Sequence, residues 1–318
     1  MTAAPNALWM RSRAKLNLQL RVTGRRADGY HLLDTLFHAL ELHDDVAVHL
    51  GSAGVTATVT ADAPNLLVPS DERNLVVQAV QRLLDATGLE AGFHVVVHKR
   101  IPNGGGLGGG SSNAACALRM ANALLGAPLD HDGLVRLAVR LGADVPFFLR
   151  GGTQRGRGVG DELSVEFWPP RHFVLLLPSY GCDTAAVYEI HAQRLEETSR
   201  RDTLIRNDQE GPGDPPDFGL CNDLEAAAEQ LRPSLSRLRQ LVVASGYANV
   251  RMSGSGSTLF VMTDSAASAT SCRDHLQGAL AGTEHREVGF ALTRSAGDPC
   301  ADEPSPSLPD RLRHPSPP

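Results

Sequence analysis

Lys15 and Lys99 are the only lysines in a 318-residue chain whose lysines and arginines total 30, so the other 28 are arginines. Where arginine serves nearly every surface cation, these two ammonium groups are candidates for places that need a compact point charge. Lys15 lies in AKLNLQL (14–20) among Ala14, Leu16, Leu18 and Leu20, where a charge is costly unless it is used. The competing reading is a lysine that snorkels to the surface. Asn17, two residues on, shares a strand face with Lys15. A second feature is IPNGGGLGGGSSNAA at 101–115. Gly104, Gly105 and Gly106, then Leu107, then Gly108, Gly109 and Gly110 allow the chain to curl so that amides converge on an anion. Ser111 and Ser112 stand where a helix would begin and can cap it or offer hydroxyls to phosphate oxygens. A third is Asp144 in GADVPFF, which reads equally well as a general base or as the cap of a helix starting at Pro146. The order strand, glycine run, helix presents backbone amides to an anion such as a phosphate.

The glycine run has rival readings. A flexible linker does not normally separate a β-branched strand from an alanine-rich helix. GGGLGG satisfies the loose GxGxxG spacing, but no acidic residue ends a second strand about 20 residues on, as dinucleotide binding requires. A Walker A loop is excluded because no GK[ST] follows.

The flanking pattern supplies the positioning elements. Residues 14–22 alternate as a half-buried strand, and RRADGYH at 25–31 contains a DG turn signal. VAVHL (46–50) and VTATV (55–59, extending to 60) read as a hairpin pair. A helix is expected over 73–88 with a C-terminal glycine, a strand over 93–102 entering the glycine run and a helix over 112–126 leaving it. A further helix covers 131–141, and FVLLL (173–177) is a strand that opens a second unit. Helices follow near 184–197, 222–231 and 233–245. The strand at 248–252, the turn SGSGS (253–257), the strand TLFVM, a helix at 265–281 and a strand at 287–293 complete the pattern. This is α+β in two lobes: residues 1–165 with the glycine run and 166–296 after it. The Pro/Gly/Asp stretch 208–218 and the proline-rich tail 297–318 read as unstructured.

The net charge of −6, with no long run of one sign, argues against nucleic acid or a membrane surface as partner. An anionic small molecule must then be held by local structure. Five scattered cysteines show no zinc spacing and read as reduced thiols of a cytoplasmic enzyme. The first residues lack the apolar core of a signal peptide, and no apolar run spans a bilayer.

PNGGGLGGGSSNAA resembles the second motif of the GHMP kinases, the superfamily of galacto-, homoserine, mevalonate and phosphomevalonate kinases. AKLNLQL (14–20) resembles the first motif and MSGSGSTLF (252–260) the third, in the right order. RADGYHLLDTLFHALELHD (26–44) and LGADVPFFLRGG (141–152) are similar to the branch whose acceptor alcohol carries a cytidine diphosphate. The resemblance covers about residues 8–295 and departs at Arg13, where the family usually has proline.

That resemblance implies a GHMP kinase fold, with an N-terminal lobe like domain 2 of ribosomal protein S5 and a ferredoxin-like C-terminal lobe. The cleft between them would hold ATP with Mg²⁺. It implies Asp144 as base and Lys15 as its partner. Asn74, Pro102 and residues 104–112 would bind ATP; Lys99 either neutralises the nucleotide or faces solvent. Asn17 would hydrogen-bond the acceptor. Tyr30 would stack on the pyrimidine, His31 would read its edge, and Tyr188, where the family often has phenylalanine, would close the other side. Phe37 and Thr184 would complete the wall. Gly254 and Ser255 would bracket the phosphate loop or the substrate diphosphate, against the plain alternative of a β-turn. No Asp/Glu cluster declares itself as a metal ligand set. Homoserine- or mevalonate-type acceptors and a catalytically silent nucleotide-binding protein are the rival functions. A monomer or weak homodimer is expected.

Overall fold

A computed structural model of the protein describes residues 5–202, 219–296 and 303–313. Its frame is a long antiparallel hairpin of β1 (Ala7–Arg25) and β2 (His31–Gly51), turned at Gly29, whose φ of 92° is open to glycine. The ladder shifts register between Arg13 and Lys15, Asn17 and Gln19, and Val22 and Gly24. Such bulges bend a strand. Residues 14–18 are buried throughout, which replaces the simple alternation expected there.

The connection β3 (Val55–Ala61), α1 (Leu75–Thr87), β4 (Gly92–Lys99) gives a sheet ordered β3-β4-β2-β1-β8, where β8 is Cys221–Asn222. β5 (Thr153–Arg157) pairs with β2 and carries β6 (Glu162–Val165) at its side. The expected hairpin of β2 with β3 does not form. β4 lies between them, parallel to β3 and antiparallel to β2. The 51–54 connection crosses over Gly92, where a Cβ would stand 2.4 Å from the Ala53 nitrogen, so the absence of a side chain lets β4 enter. α2 (Gly109–Leu124), α3 (His131–Val139) and α4 (Val145–Arg150) join α1 over a core containing Leu83, Phe93, Leu118 and Phe147.

The second sheet is antiparallel, β11-β7-β10-β9, from β7 (His172–Leu177), β9 (Arg251–Met252), β10 (Leu259–Thr263) and β11 (Gly289–Arg294). α5 (Thr184–Asp202), α6 (Glu225–Leu231), α7 (Pro233–Ala244) and α8 (Ala266–Leu280) accompany it. Its core gathers Val174, Leu176, Leu238, Val261 and Leu276. A third apolar cluster (Leu16, Leu18, Ile101, Leu107, Phe173, Phe260) joins β1 and the glycine run to the second sheet. The fold is α+β with two lobes, and β8 returns from the second half of the chain to lie parallel to β1. No described helix is long and apolar enough to cross a membrane.

The expectation of an unstructured tail does not hold for residues 303–313. Ser305 and Trp9 exchange backbone hydrogen bonds of 2.9 and 3.0 Å. Leu312 is fully buried against Ala47 and Val96, and Arg311 binds Asp45 at 2.6 Å. Proline-rich composition predicted no core, but one leucine and one arginine suffice to seat the segment on β2 and β4. The 208–218 stretch lies outside the described residues.

His38 ties both halves together. Its ring is buried, with Nδ1 2.8 Å from Thr153 Oγ1 and Nε2 2.8 Å from Ser295 Oγ. Burial pushes its pKa down to about 4. The folded protein therefore holds a neutral ring that the unfolded chain protonates below pH 6.5. Stability should fall as pH drops from 6.5 to 4, by ~3 kcal/mol from this group. Denaturant midpoints measured across that window should slope less steeply in His38→Gln; an equal slope would assign the pH dependence to other groups.

Candidate active site

The two glycine-rich turns meet at the mouth of the interlobe seam. Ser253 Oγ donates to the Gly106 carbonyl at 3.0 Å, and the Thr258 amide donates to the Gly105 carbonyl at 3.2 Å. A Cβ on Gly106 would lie 2.1 Å from the Ser253 carbonyl oxygen, and one on Gly105 would lie 2.7 Å from Thr258 Oγ1. Gly106 also has φ 77°. Only bare backbone allows this approach. Asn222 fixes the second turn, donating through Nδ2 to the carbonyls of Met252 and Gly254, both at 2.8 Å.

Above these turns lies a cleft of about 1050 Å³. It brings together Lys15, Asn17, Tyr30, His31 and Phe37 from β1, β2 and their turn, with Gly104, Gly106, Gly108, Ser111 and Asp144 from the glycine run, α2 and the start of α4. Thr184, Tyr188, Gly254 and Ser255 face them. The turn 253–257 thus serves the cleft as well as reversing the chain, and Ser255 Oγ lies 2.8 Å from Thr184 Oγ1.

The buried Lys15 ammonium stands 3.3 Å from Asp144 Oδ2, donates to Asn17 Oδ1 at 2.6 Å and sits 5.5 Å from the Phe37 ring centre. It does not snorkel. Its backbone amide donates to the Leu107 carbonyl, which fixes β1 against the loop. Asp144 occupies the N-cap position of α4 but makes no capping hydrogen bond, and its side chain is one-third exposed to the cleft. The carboxylate is thus directed at Lys15 rather than at the helix, which resolves the geometric choice between cap and charge partner. The nearest sequence signal was the lone acid before Val-Pro.

Other expected contacts fall elsewhere. Lys99 neither faces solvent nor reaches the cleft: it is buried and paired with Asp44, whose other oxygen accepts the amides of Arg100 and Ile101. A desolvated ammonium needs that carboxylate, so Lys99 holds the loop entry from beneath. Asn74 caps α1, accepting from the Val76 amide and donating to the Pro69 carbonyl. Pro102 is half-buried and outside the cleft wall. Leu107 is buried in the seam cluster, Gly109 packs over Ile101 and Gly110 over Leu75. α2 begins at Gly109, three residues before the expected start, so Ser111 and Ser112 lie in its first turn and neither caps it. Ser111 faces the cleft, while Ser112 is buried on the opposite side.

At the far end, His31 and Tyr188 stack on one another, ring centres 4.8 Å apart at 26°. Tyr188, expected to close the far side of a pyrimidine stacked on Tyr30, thus lies against His31, because α5 sets it directly against the start of β2. Tyr30, 67% exposed, offers the open aromatic face. Burial, then Arg25 and His191, lowers the His31 pKa and keeps its ring neutral; burial, then the charge of Asp144, raises that of Tyr188. Sequence reasoning missed Thr35, Asn222 and Ser253, whose types are ordinary and whose partners lie far along the chain.

The closest backbone approach yields a direct test. Gly106→Ala should weaken ATP binding at least ~10-fold by calorimetry, since the methyl must part the two turns. Gly278→Ala in α8, where a Cβ meets nothing within 4 Å, is the control. Equal affinities in the two variants would mean that the cradle tolerates a gap.

Comparisons with known proteins agree with this geometry. Residues 74–152 match the GHMP kinases N terminal domain and residues 201–282 the GHMP kinases C terminal domain. The chloroplastic 4-diphosphocytidyl-2-C-methyl-D-erythritol kinase of Mentha piperita is 35% identical over 323 residues, covering 96% of this chain and 76% of that one. The enzyme of the same name from Delftia acidovorans is 38% identical over 255 residues, covering 78% and 83%. A crystal structure of a 4-(cytidine 5'-diphospho)-2C-methyl-D-erythritol kinase superposes with TM-score 0.68 and 33% identity, over 91% of this chain and all of the other. Homoserine kinase from Cytophaga hutchinsonii shares the fold, with TM-score 0.67 at 19% identity over 96% and 99%. An ATP-dependent small-molecule kinase by family and by fold, the chain belongs to the GHMP kinases and, among them, to the 4-diphosphocytidyl-2-C-methyl-D-erythritol kinases.

Proposed function

We propose that the protein transfers the γ-phosphoryl group of ATP to the 2-hydroxyl of 4-diphosphocytidyl-2-C-methyl-D-erythritol, giving the 2-phosphate and ADP on the non-mevalonate route to isoprenoid precursors. The observation that carries this reading is the Lys15–Asp144 pair at 3.3 Å, set in one cleft between a glycine cradle and an aromatic cluster. The backbone around Gly104, Gly106 and Gly108 receives the triphosphate, and the first turn of α2 adds its partial positive charge. Asp144 orients the acceptor hydroxyl and takes its proton as the new O–P bond forms and the bond to ADP breaks. Lys15 pairs with that carboxylate and offsets charge on the phosphoryl oxygens.

The head group is read at the other end. Tyr30 stacks on the cytosine ring, neutral His31 presents polar ring atoms, and the protonated Tyr188 hydroxyl can donate. Thr184, Gly254 and Ser255 lie between this end and the phosphates, where the substrate diphosphate must pass. Asn17 completes the acceptor side through Lys15.

Mg²⁺ fits as a companion of the nucleotide rather than as a resident ion. Among the described residues no group of three His, Cys, Asp or Glu could hold a metal. Ser111, a hydroxyl beside the phosphate cradle, is the residue suited to meet it, and Mg²⁺ would supply charge neutralisation at the phosphates. The free thiols Cys116, Cys182, Cys221 and Cys272 suit a reducing compartment such as the cytoplasm. A monomer or weak homodimer suits a cleft built within one chain.

ADP release with Mg·ATP should occur with the cytidyl acceptor and not with homoserine, mevalonate or galactose. Turnover of one of those alcohols instead would overturn the acceptor assignment, and ATP binding without turnover would favour a silent nucleotide-binding protein. Asp144→Asn should lower turnover ~10²–10⁴-fold with ATP affinity retained. Near-normal turnover in that variant would remove Asp144 from the mechanism.

A further inference from the structure

The Lys15 ammonium is not held by Asp144 alone. Asn17 Oδ1 accepts from Lys15 at 2.6 Å, Asn17 Nδ2 lies 2.7 Å from Thr35 Oγ1, and Thr35 Oγ1 lies 2.7 Å from the Gln19 carbonyl oxygen. Lys15 and Asn17 are each 3% exposed and Thr35 is fully buried, so bulk water cannot stand in for a missing partner. The register shift of β1 between Asn17 and Gln19 sets the Thr35 hydroxyl opposite that carbonyl.

The chain has one workable polarity. A backbone carbonyl can only accept, so the Thr35 hydroxyl donates to Gln19 and is left as an acceptor. Asn17 must therefore turn its NH₂ toward Thr35 and its carbonyl toward Lys15. The flipped amide would set an NH₂ against an ammonium at 2.6 Å, two donors facing each other in a dry site. Thr35, which touches neither cleft nor phosphate loop, thus decides which end of Asn17 the catalytic lysine meets.

We propose that Thr35 is a positioning residue for phosphoryl transfer: its hydroxyl fixes the Asn17 amide, which holds the Lys15 ammonium in register with Asp144. The inference rests on the kinase reading above. Turnover by the unaltered protein with the cytidyl acceptor tests that reading, and the variants below test the relay alone. A hydroxyl-to-methyl exchange of nearly equal shape removes the acceptor and lets Asn17 turn over.

Thr35→Val should lower kcat ~10–100-fold with both KM values within about twofold, because misplacing a catalytic group costs rate more than binding. Thr35→Ser, which keeps the hydroxyl, should return kcat to within about threefold of the unaltered protein. In an Asn17→Ala background the relay has no amide to orient, so adding Thr35→Val should change kcat less than about twofold. Three results would each overturn the proposal: normal kcat in Thr35→Val, no recovery in Thr35→Ser, or the same loss on both backgrounds. If Thr35→Val does not accumulate as folded protein, Thr35→Cys, whose thiol is only a weak donor and acceptor, takes its place on both backgrounds. On the Asn17→Ala background, equal kcat with and without the Thr35 substitution supports action through Asn17, and a further drop refutes it.

Discussion

The architecture depends on one contact that involves no side chain on the loop's part: the Gly106 backbone lying against Ser253. With 2.1 Å between a would-be Cβ and the Ser253 oxygen, any other residue would wedge the lobes apart. The glycine run belongs to one half of the chain and the turn beneath it to the other, and both line the cleft. Leu107, Phe173 and Phe260 then pack the seam from behind, and Asn222 fixes the far turn. Loss of backbone entropy at six glycines is the cost of this arrangement, and the apolar seam offsets it.

Charge is handled by pairing rather than by exposure. Lys15 and Lys99, with Asp44 and Asp45, are all nearly inaccessible, and each has an opposite charge in contact. Only one of these groups, Lys15, is paired with a carboxylate that still opens to the cleft. That asymmetry separates the two lysines. Lys99 spends its charge on Asp44 to anchor the strand that enters the loop, whereas Lys15 keeps a partner that opens to the cleft.

Much of this was legible in the sequence, and what was not has physical reasons. The strand–glycine–helix order, the α7 and α8 helices and the pairing of Lys15 with Asp144 follow from periodicity, composition and motif resemblance. The placement of β4 between β2 and β3 was not legible, because local turn signals at 51–54 resemble a hairpin and the deciding contact, with Gly92, is 40 residues away. The role of Lys99 was not legible either, since a lysine beside a phosphate loop reads alike whether it points up at the ligand or down at Asp44. Residues 303–313 were misread because composition records the average of a segment, while Leu312 and Arg311 act singly. Thr35 and Asn222 gave no signal: their hydrogen bonds depend on bulges and crossovers that only the folded chain brings about.

The return of β8 to β1 has a further meaning for the order in which the molecule can be made. Gln19 and Leu20 find their strand partners at Cys221 and Asn222, and His38 finds Ser295. The first lobe therefore completes its sheet only after a segment some 200 residues downstream of β1 has been made. Nascent β1 must wait with an open edge, a state in which strands are prone to wrong partners. Synthesis from the N-terminus and assembly of the N-terminal lobe are thus out of step, since β1 takes a strand partner from the second half of the chain.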